Sequence, residues 1–168
     1  MTVAAFNILV LCTGNSARSI LGEAIFNHLA QWRVQAFSAG SKPKGVPHPG
    51  ALRLLARRSI DTAGFRSKSW NEFTGPGAPH IDLAITVCGN AAGEACPVFP
   101  GTPLRAHWGL VDPADVAGGE ASEDAAFEDT WRWLEMRAKA LLALPFETMD
   151  REALTATLAA IGQMEGAA

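Results

Sequence analysis

The chain has 168 residues, 48% of them hydrophobic, with a net charge of −3 and three cysteines. That length and apolar content supply one ordinary core and exclude broad disorder, and the slightly acidic balance excludes the basic surface a nucleic-acid partner needs. The amino terminus lacks a positive region followed by a long apolar segment, and no run approaches a membrane span, so a soluble, cytoplasmic protein with no nucleic-acid and no membrane partner is expected.

In chain order, Ile8 to Leu11 form an apolar, partly β-branched run that reads as a strand buried on both faces and stopping at Cys12. From Ala17 or Arg18 onward Ile20, Leu21, Ala24, Ile25 and Leu29 recur with helical spacing to about Ala30. The turn Cys12-Thr13-Gly14-Asn15-Ser16-Ala17-Arg18 therefore joins a strand's carboxyl end to a helix's amino end. Its N–H groups and the helix dipole make a cradle for a tetrahedral oxyanion, and Arg18 adds a planar, permanently charged fork. Thr13, Gly14, Asn15, Ser16, Ala17 and Arg18 are the expected substrate-binding residues. Cys12 in that cradle is expected to titrate below the free thiol value of about 8.5 and to act as a nucleophile at neutral pH. A dinucleotide fingerprint is excluded because the turn has only Gly14, and a nucleoside-triphosphate loop because no Gly-Lys-Ser/Thr ending follows.

Val34 to Ser38 reads as a second strand, followed by Ala39-Gly40. A loop from Ser41 to His48, with Lys42, Pro43, Lys44, Gly45 and Pro47, is too rich in helix breakers to be regular and is expected over the anion site. Pro49 opens a helix to about Arg58, and Ser69 to Phe73 a short one. Ile81 to Val87 is the third strand; it delivers Cys88 to its carboxyl end, equivalent to the place of Cys12, on what reads as a neighbouring strand. The small, turn-forming residues of the loop 89–101 would let Cys96 swing toward Cys88. Leu104 to Trp108 is the fourth strand, after which Asp112 stands as another polar group at a strand end. Ser122 is the expected cap of a long helix whose stripe is Phe127, Trp131, Leu134, Ala138, Leu141 and Leu142. Asp150 to Ile161 reads as one more amphipathic helix, an appendage or a dimer contact. Strands alternating with helices imply an α/β fold: a three-layer sandwich whose small, about four-stranded parallel sheet carries helices on both faces. Residues 1–145 read as one domain and 146–168 as its C-terminal helical extension, with the oligomeric state left open.

Three cysteines in a cytoplasmic chain are better read as redox or catalytic groups than as a disulfide framework. Cys88 and Cys96 enclose seven residues, outside the tight spacing of most structural zinc pairs, and no paired histidines stand nearby, so no metal is expected.

The blocks Cys12-Thr13-Gly14-Asn15-Ser16-Ala17-Arg18-Ser19, Ser38-Ala39-Gly40, Val87-Cys88 through Cys96-Pro97, and His107-Trp108-Gly109 with Asp112-Pro113 resemble those of arsenate reductases built on the low-molecular-weight protein tyrosine phosphatase fold. The first and last blocks are shared with the phosphatases; the middle one looks like a reductase. The resemblance implies that Cys12 attacks a bound arsenate, that Arg18 and the loop amides hold the oxyanion, that Ser19 hydrogen-bonds the thiolate, and that Asp112 is the general acid. It also implies that Cys88 displaces arsenite and that Cys96 moves the disulfide outward to an external thiol reductant, thioredoxin or glutathione/glutaredoxin, with no tightly bound cofactor. A cation site partly kept through Asn15, Glu23 and Ser38 belongs to the same resemblance. The thioredoxin-linked members have six residues between the last two cysteines where this chain has seven, which leaves the reductant open. Ala114 and Asp115 stand where the phosphatases carry tyrosines, and this chain has none. Three readings follow: an arsenate reductase cycling three cysteines, a phosphatase hydrolysing phosphate monoesters through a Cys12 phosphoenzyme, and a non-catalytic oxyanion or redox sensor.

Overall fold

The structure is a computed structural model and describes residues 4–88, 99 and 103–168. Four parallel strands, β1 (Phe6–Cys12), β2 (Val34–Gly40), β3 (Leu83–Thr86) and β4 (Leu104–His107), form one sheet in the order β2-β1-β3-β4. The described helices are α1 (Arg18–Ala30), α2 (Pro49–Arg57), α3 (Glu120–Leu142) and α4 (Arg151–Gly162), with 3-10 turns at Trp70–Phe73 and Pro113–Asp115. A four-stranded parallel sheet in an α/β fold is what the alternating pattern predicts. β1 lies inside the sheet because its side chains are apolar on both faces. Ile8 and Val10 join the core under the helices, whereas Leu9 and Leu11 pack with Phe73, Ile81, Ala84 and Phe99. The chain leaves β1 for β2 on one side and later fills β3 on the other, so the order reverses at the carboxyl end of β1, where open α/β sheets place ligands.

Two helix assignments differ from the sequence reading. α3 begins at Glu120 with Gly119 at its N-cap, and Ser122 lies inside the first turn, its hydroxyl donating to Gly118 O at 3.4 Å. Gly118 and Gly119 both have positive φ, a backbone only glycine adopts cheaply, and this brings the chain into the helix earlier than a serine cap would. α4 is built into the main core: Leu154, Leu158 and Ile161 are buried, and Gly162 sits so close to His107 that a Cβ would lie 2.5 Å from the His107 carbonyl oxygen. The apolar stripe read as an appendage or a dimer contact is used against this chain's own β4. Among the described residues no helix is long and apolar enough to cross a membrane.

Candidate active site

Cys12 is the last residue of β1 and Arg18 the first of α1, and the residues between them turn through a left-handed Asn15 with φ 44°. Asparagine tolerates that region because its side chain bonds locally. Here Asn15 Nδ2 donates to Ser19 Oγ at 2.8 Å, and Asn15 Oδ1 accepts from the Lys68 amide at 2.8 Å. Since Ser19 Oγ already accepts from Asn15, its own proton is available to Cys12 Sγ, 2.9 Å away. The Asn15 amide donates to the same sulfur at 3.2 Å.

The outer side of the turn is tied down. Amides of Lys42, Lys44 and His48 donate to the carbonyls of Thr13, Gly14 and Ser16 at 2.9, 2.9 and 2.8 Å. Those three carbonyls are thus taken up by the backing loop, on the side away from the amide that Asn15 gives to Cys12 Sγ. Gly40, paired with Cys12 across β1 and β2, makes this approach feasible: a Cβ there would lie 2.4 Å from Thr13 O and 2.8 Å from Cys12 O.

β1 and β3 pair directly, and this brings Cys88 to Cys12. Both are buried, 3% and 4% exposed. Cys88 Sγ accepts from the Thr13 amide at 3.3 Å. Its hydrogen bond with Cys12, together with burial, pushes the Cys12 thiol well above its ordinary range, and Ser19 pulls the other way. This reverses the sequence expectation of a depressed Cys12 pKa. Arg18, the cation expected to favour the thiolate, is engaged elsewhere: Nη1 donates to Leu110 O at 2.7 Å and Nη2 lies 3.2 Å from Asp112 Oδ2. Arg18 Nε is buried and, among the described residues, makes no hydrogen bond, a donor left for an anion. Cys96 lies outside the described residues.

Cys12, Thr13, Gly14, Ser16, Ala17 and Arg18 thus line a cavity of about 170 Å³ with Asp112 at its edge, roomy enough for a tetrahedral oxyanion. The family model for low molecular weight phosphotyrosine protein phosphatases matches residues 7–155. The chain belongs to that family. Among its relatives, an arsenate reductase of Bacillus licheniformis is 38% identical over 124 residues, 72% of this chain and 84% of the relative. An arsenate reductase structure from Archaeoglobus fulgidus is 28% identical with a TM-score of 0.62, covering 82% of this chain and 99% of that one. A thioredoxin-dependent arsenate reductase of Corynebacterium glutamicum shares the fold at 22% identity and TM-score 0.60; the match covers 85% of this chain and 63% of that longer one.

Two features of this family member were not assigned to the site from its sequence. Lys42 and Lys44 line the anion cavity, both exposed at its rim, and the stem of Lys44 runs 3.2 to 3.5 Å from where a Gly14 Cβ would stand. Their spacing of two in an extended stretch was the available signal, since alternate residues share a face. The second is Lys68, whose ammonium lies 3.8 Å from Glu23 Oε1 while Ser38 Oγ donates to the same oxygen at 2.8 Å. Burial raises the Glu23 pKa and lowers that of Lys68, and each opposes the other's shift. An ammonium thus stands among the residues the resemblance suggested for a cation, and no group of three acidic, histidine or cysteine side chains placed to hold a metal occurs among the described residues.

Proposed function

We propose that this chain is an arsenate reductase that binds arsenate in the Cys12 to Arg18 cradle and reduces it with protein thiols. In the first step the Cys12 sulfur attacks arsenic. One arsenate oxygen leaves as water, carrying the thiol proton and a proton from Asp112, which is regained from solvent, and a Cys12–S–As(V) adduct forms. Arg18 and the loop amides carry the charge of the remaining oxygens. In the second step the Cys88 thiol attacks the Cys12 sulfur: the S–As bond breaks, its electron pair stays on arsenic as As(III), arsenite leaves with the Cys88 proton, and a Cys12–Cys88 disulfide remains. Cys96 then exchanges with that disulfide, freeing the Cys12 thiol and leaving Cys88–Cys96 for an external reductant of the thioredoxin or glutaredoxin class. Such a cycle suits the reducing cytoplasm.

The observation that carries this reading is the buried Cys88 thiol, brought by the pairing of β1 and β3 to the cradle beside Cys12, where it accepts from the Thr13 amide at 3.3 Å. A phosphatase needs Cys12, Arg18 and Asp112 but has no step for Cys88. Arsenite release and aryl phosphate hydrolysis, followed in parallel, separate the two. Cys12→Ser is expected to abolish both, and Cys88→Ser to stop multiple-turnover arsenite release while slow ester hydrolysis continues. Equal steady-state arsenite release from wild type and Cys88→Ser, with thioredoxin or glutaredoxin systems supplied separately, would leave a phosphatase as the better reading.

A further inference from the structure

Arg137, in the C-terminal third of α3, is 0% exposed, and among the described residues it has no carboxylate partner. Its Nη1 donates to Trp133 O at 3.1 Å and Glu165 O at 2.9 Å; its Nη2 donates to Met164 O at 2.8 Å and Gly162 O at 3.3 Å. These last carbonyls belong to the end of α4 and the turn beyond it, where the helix dipole is negative and carbonyls lack intrahelical partners. A buried charge is a poor stabiliser compared with an apolar side chain of the same volume, so its value lies in what it holds in place. What it holds is a segment lying along His107 to Leu110. Trp108 Nε1 donates to Leu158 O at 3.0 Å, Ala168 N donates to Gly109 O at 3.0 Å, and Ala167 forms an antiparallel bridge with Leu110. Leu110 O is the acceptor of Arg18 Nη1, and Asp112, two residues on, is the ion-pair partner of Nη2.

We propose that Arg137 is a positioning residue for the oxyanion site: by fixing residues 162–165 it presses the C-terminal segment against Gly109 and Leu110, which sets Leu110 O and Asp112 where they orient the Arg18 guanidinium. The proposal rests on the reading of Arg18 as the oxyanion's main cation but not on arsenate being the physiological anion. Methionine fills the volume of Arg137 without its donors, lysine keeps the charge with three donors on one atom, and Ala168→Pro removes the donor to Gly109 O and restrains Ala167 in the bridge to Leu110, leaving Arg137 itself intact.

The affinity of each variant for inorganic phosphate, read as protection of Cys12 from alkylation, is compared with the rate of Cys12–Cys88 disulfide formation by diamide, which needs no anion site. In Arg137→Met and Ala168→Pro, phosphate affinity is expected to fall at least tenfold with the diamide rate unchanged, and Arg137→Lys is expected to recover part of the loss. Wild-type phosphate affinity in both would overturn the proposal, and so would a parallel loss of diamide reactivity, which would mean general loosening. If Arg137→Met does not fold, Ala168→Pro decides by the same two readouts. Failure of arsenate turnover in the wild type would count against the reductase reading and leave this comparison intact.

Discussion

The Cys12 sulfur receives two donors, the Asn15 amide and the Ser19 hydroxyl, yet the neighbouring Cys88 and burial push its pKa well above the ordinary range. Cys88 is the largest of the raising influences, so removing it lowers the Cys12 pKa. Each unit recovered multiplies the thiolate fraction below that pKa about tenfold. Cys88→Ala should therefore move the pH profile of Cys12 alkylation by iodoacetamide to lower pH, and an unchanged or upward-moving profile would contradict the hydrogen-bonded pair. The cradle itself was legible because Cys12, Asn15, Arg18 and Ser19 fall within one eight-residue stretch and the strand-to-helix junction is local. The direction of the Cys12 shift was not, since it depends on how closely the paired strand sets residue 88 beside residue 12, and on Asp112 taking up the Arg18 charge.

The loop from Ser41 to His48 and the strand end at Gly40 act on the cradle as a backing layer, donating three amides to its carbonyls. Gly40 permits this because any side chain there would meet Thr13 O and Cys12 O. Gly40→Ala should weaken phosphate binding and cost roughly 1–3 kcal/mol of stability, the usual penalty for forcing an extra carbon into a packed site. Gly64→Ala, where a Cβ meets nothing within 4 Å, is the control, expected within about 0.5 kcal/mol of wild type. Equal urea midpoints for the two variants would show that the close approach is relieved without consequence. Periodicity found each described helix and strand but not its neighbours. A serine before an acidic turn looks like a cap whether or not two glycines upstream start the helix sooner, and a stripe of Leu154, Leu158 and Ile161 looks the same facing β4 or a second molecule.

Net charge says little about where the charge lies. The chain totals −3, yet the anion cavity is lined by Arg18, Lys42 and Lys44, with Asp112 as its carboxylate. Exposed charges at a rim act mainly on encounter, and salt screens them over a Debye length of about 8 Å at physiological ionic strength. Lys42→Ala with Lys44→Ala should lower kcat/KM for arsenate several-fold, flatten its dependence on ionic strength and leave kcat nearly unchanged; a large loss of kcat would instead place a lysine in the chemistry. At this scale the parallel four-stranded sheet was readable from alternating strands and helices, and so was the neighbouring of β1 and β3, but the full order β2-β1-β3-β4 was not, because it depends on which edges each strand leaves open. That order has a thermal consequence. With β1 hydrogen-bonded to β3 through Leu11 and Thr86, closing a bond between Cys12 and Cys88 would tether two points far apart in sequence while they are already adjacent in the fold. Chain-entropy arguments give such a long closed loop ~4 kcal/mol of added stability. The oxidised intermediate, trapped by arsenate in Cys96→Ser, should then unfold several degrees above the reduced enzyme, so that calorimetry alone would report how far each molecule has advanced through its redox cycle.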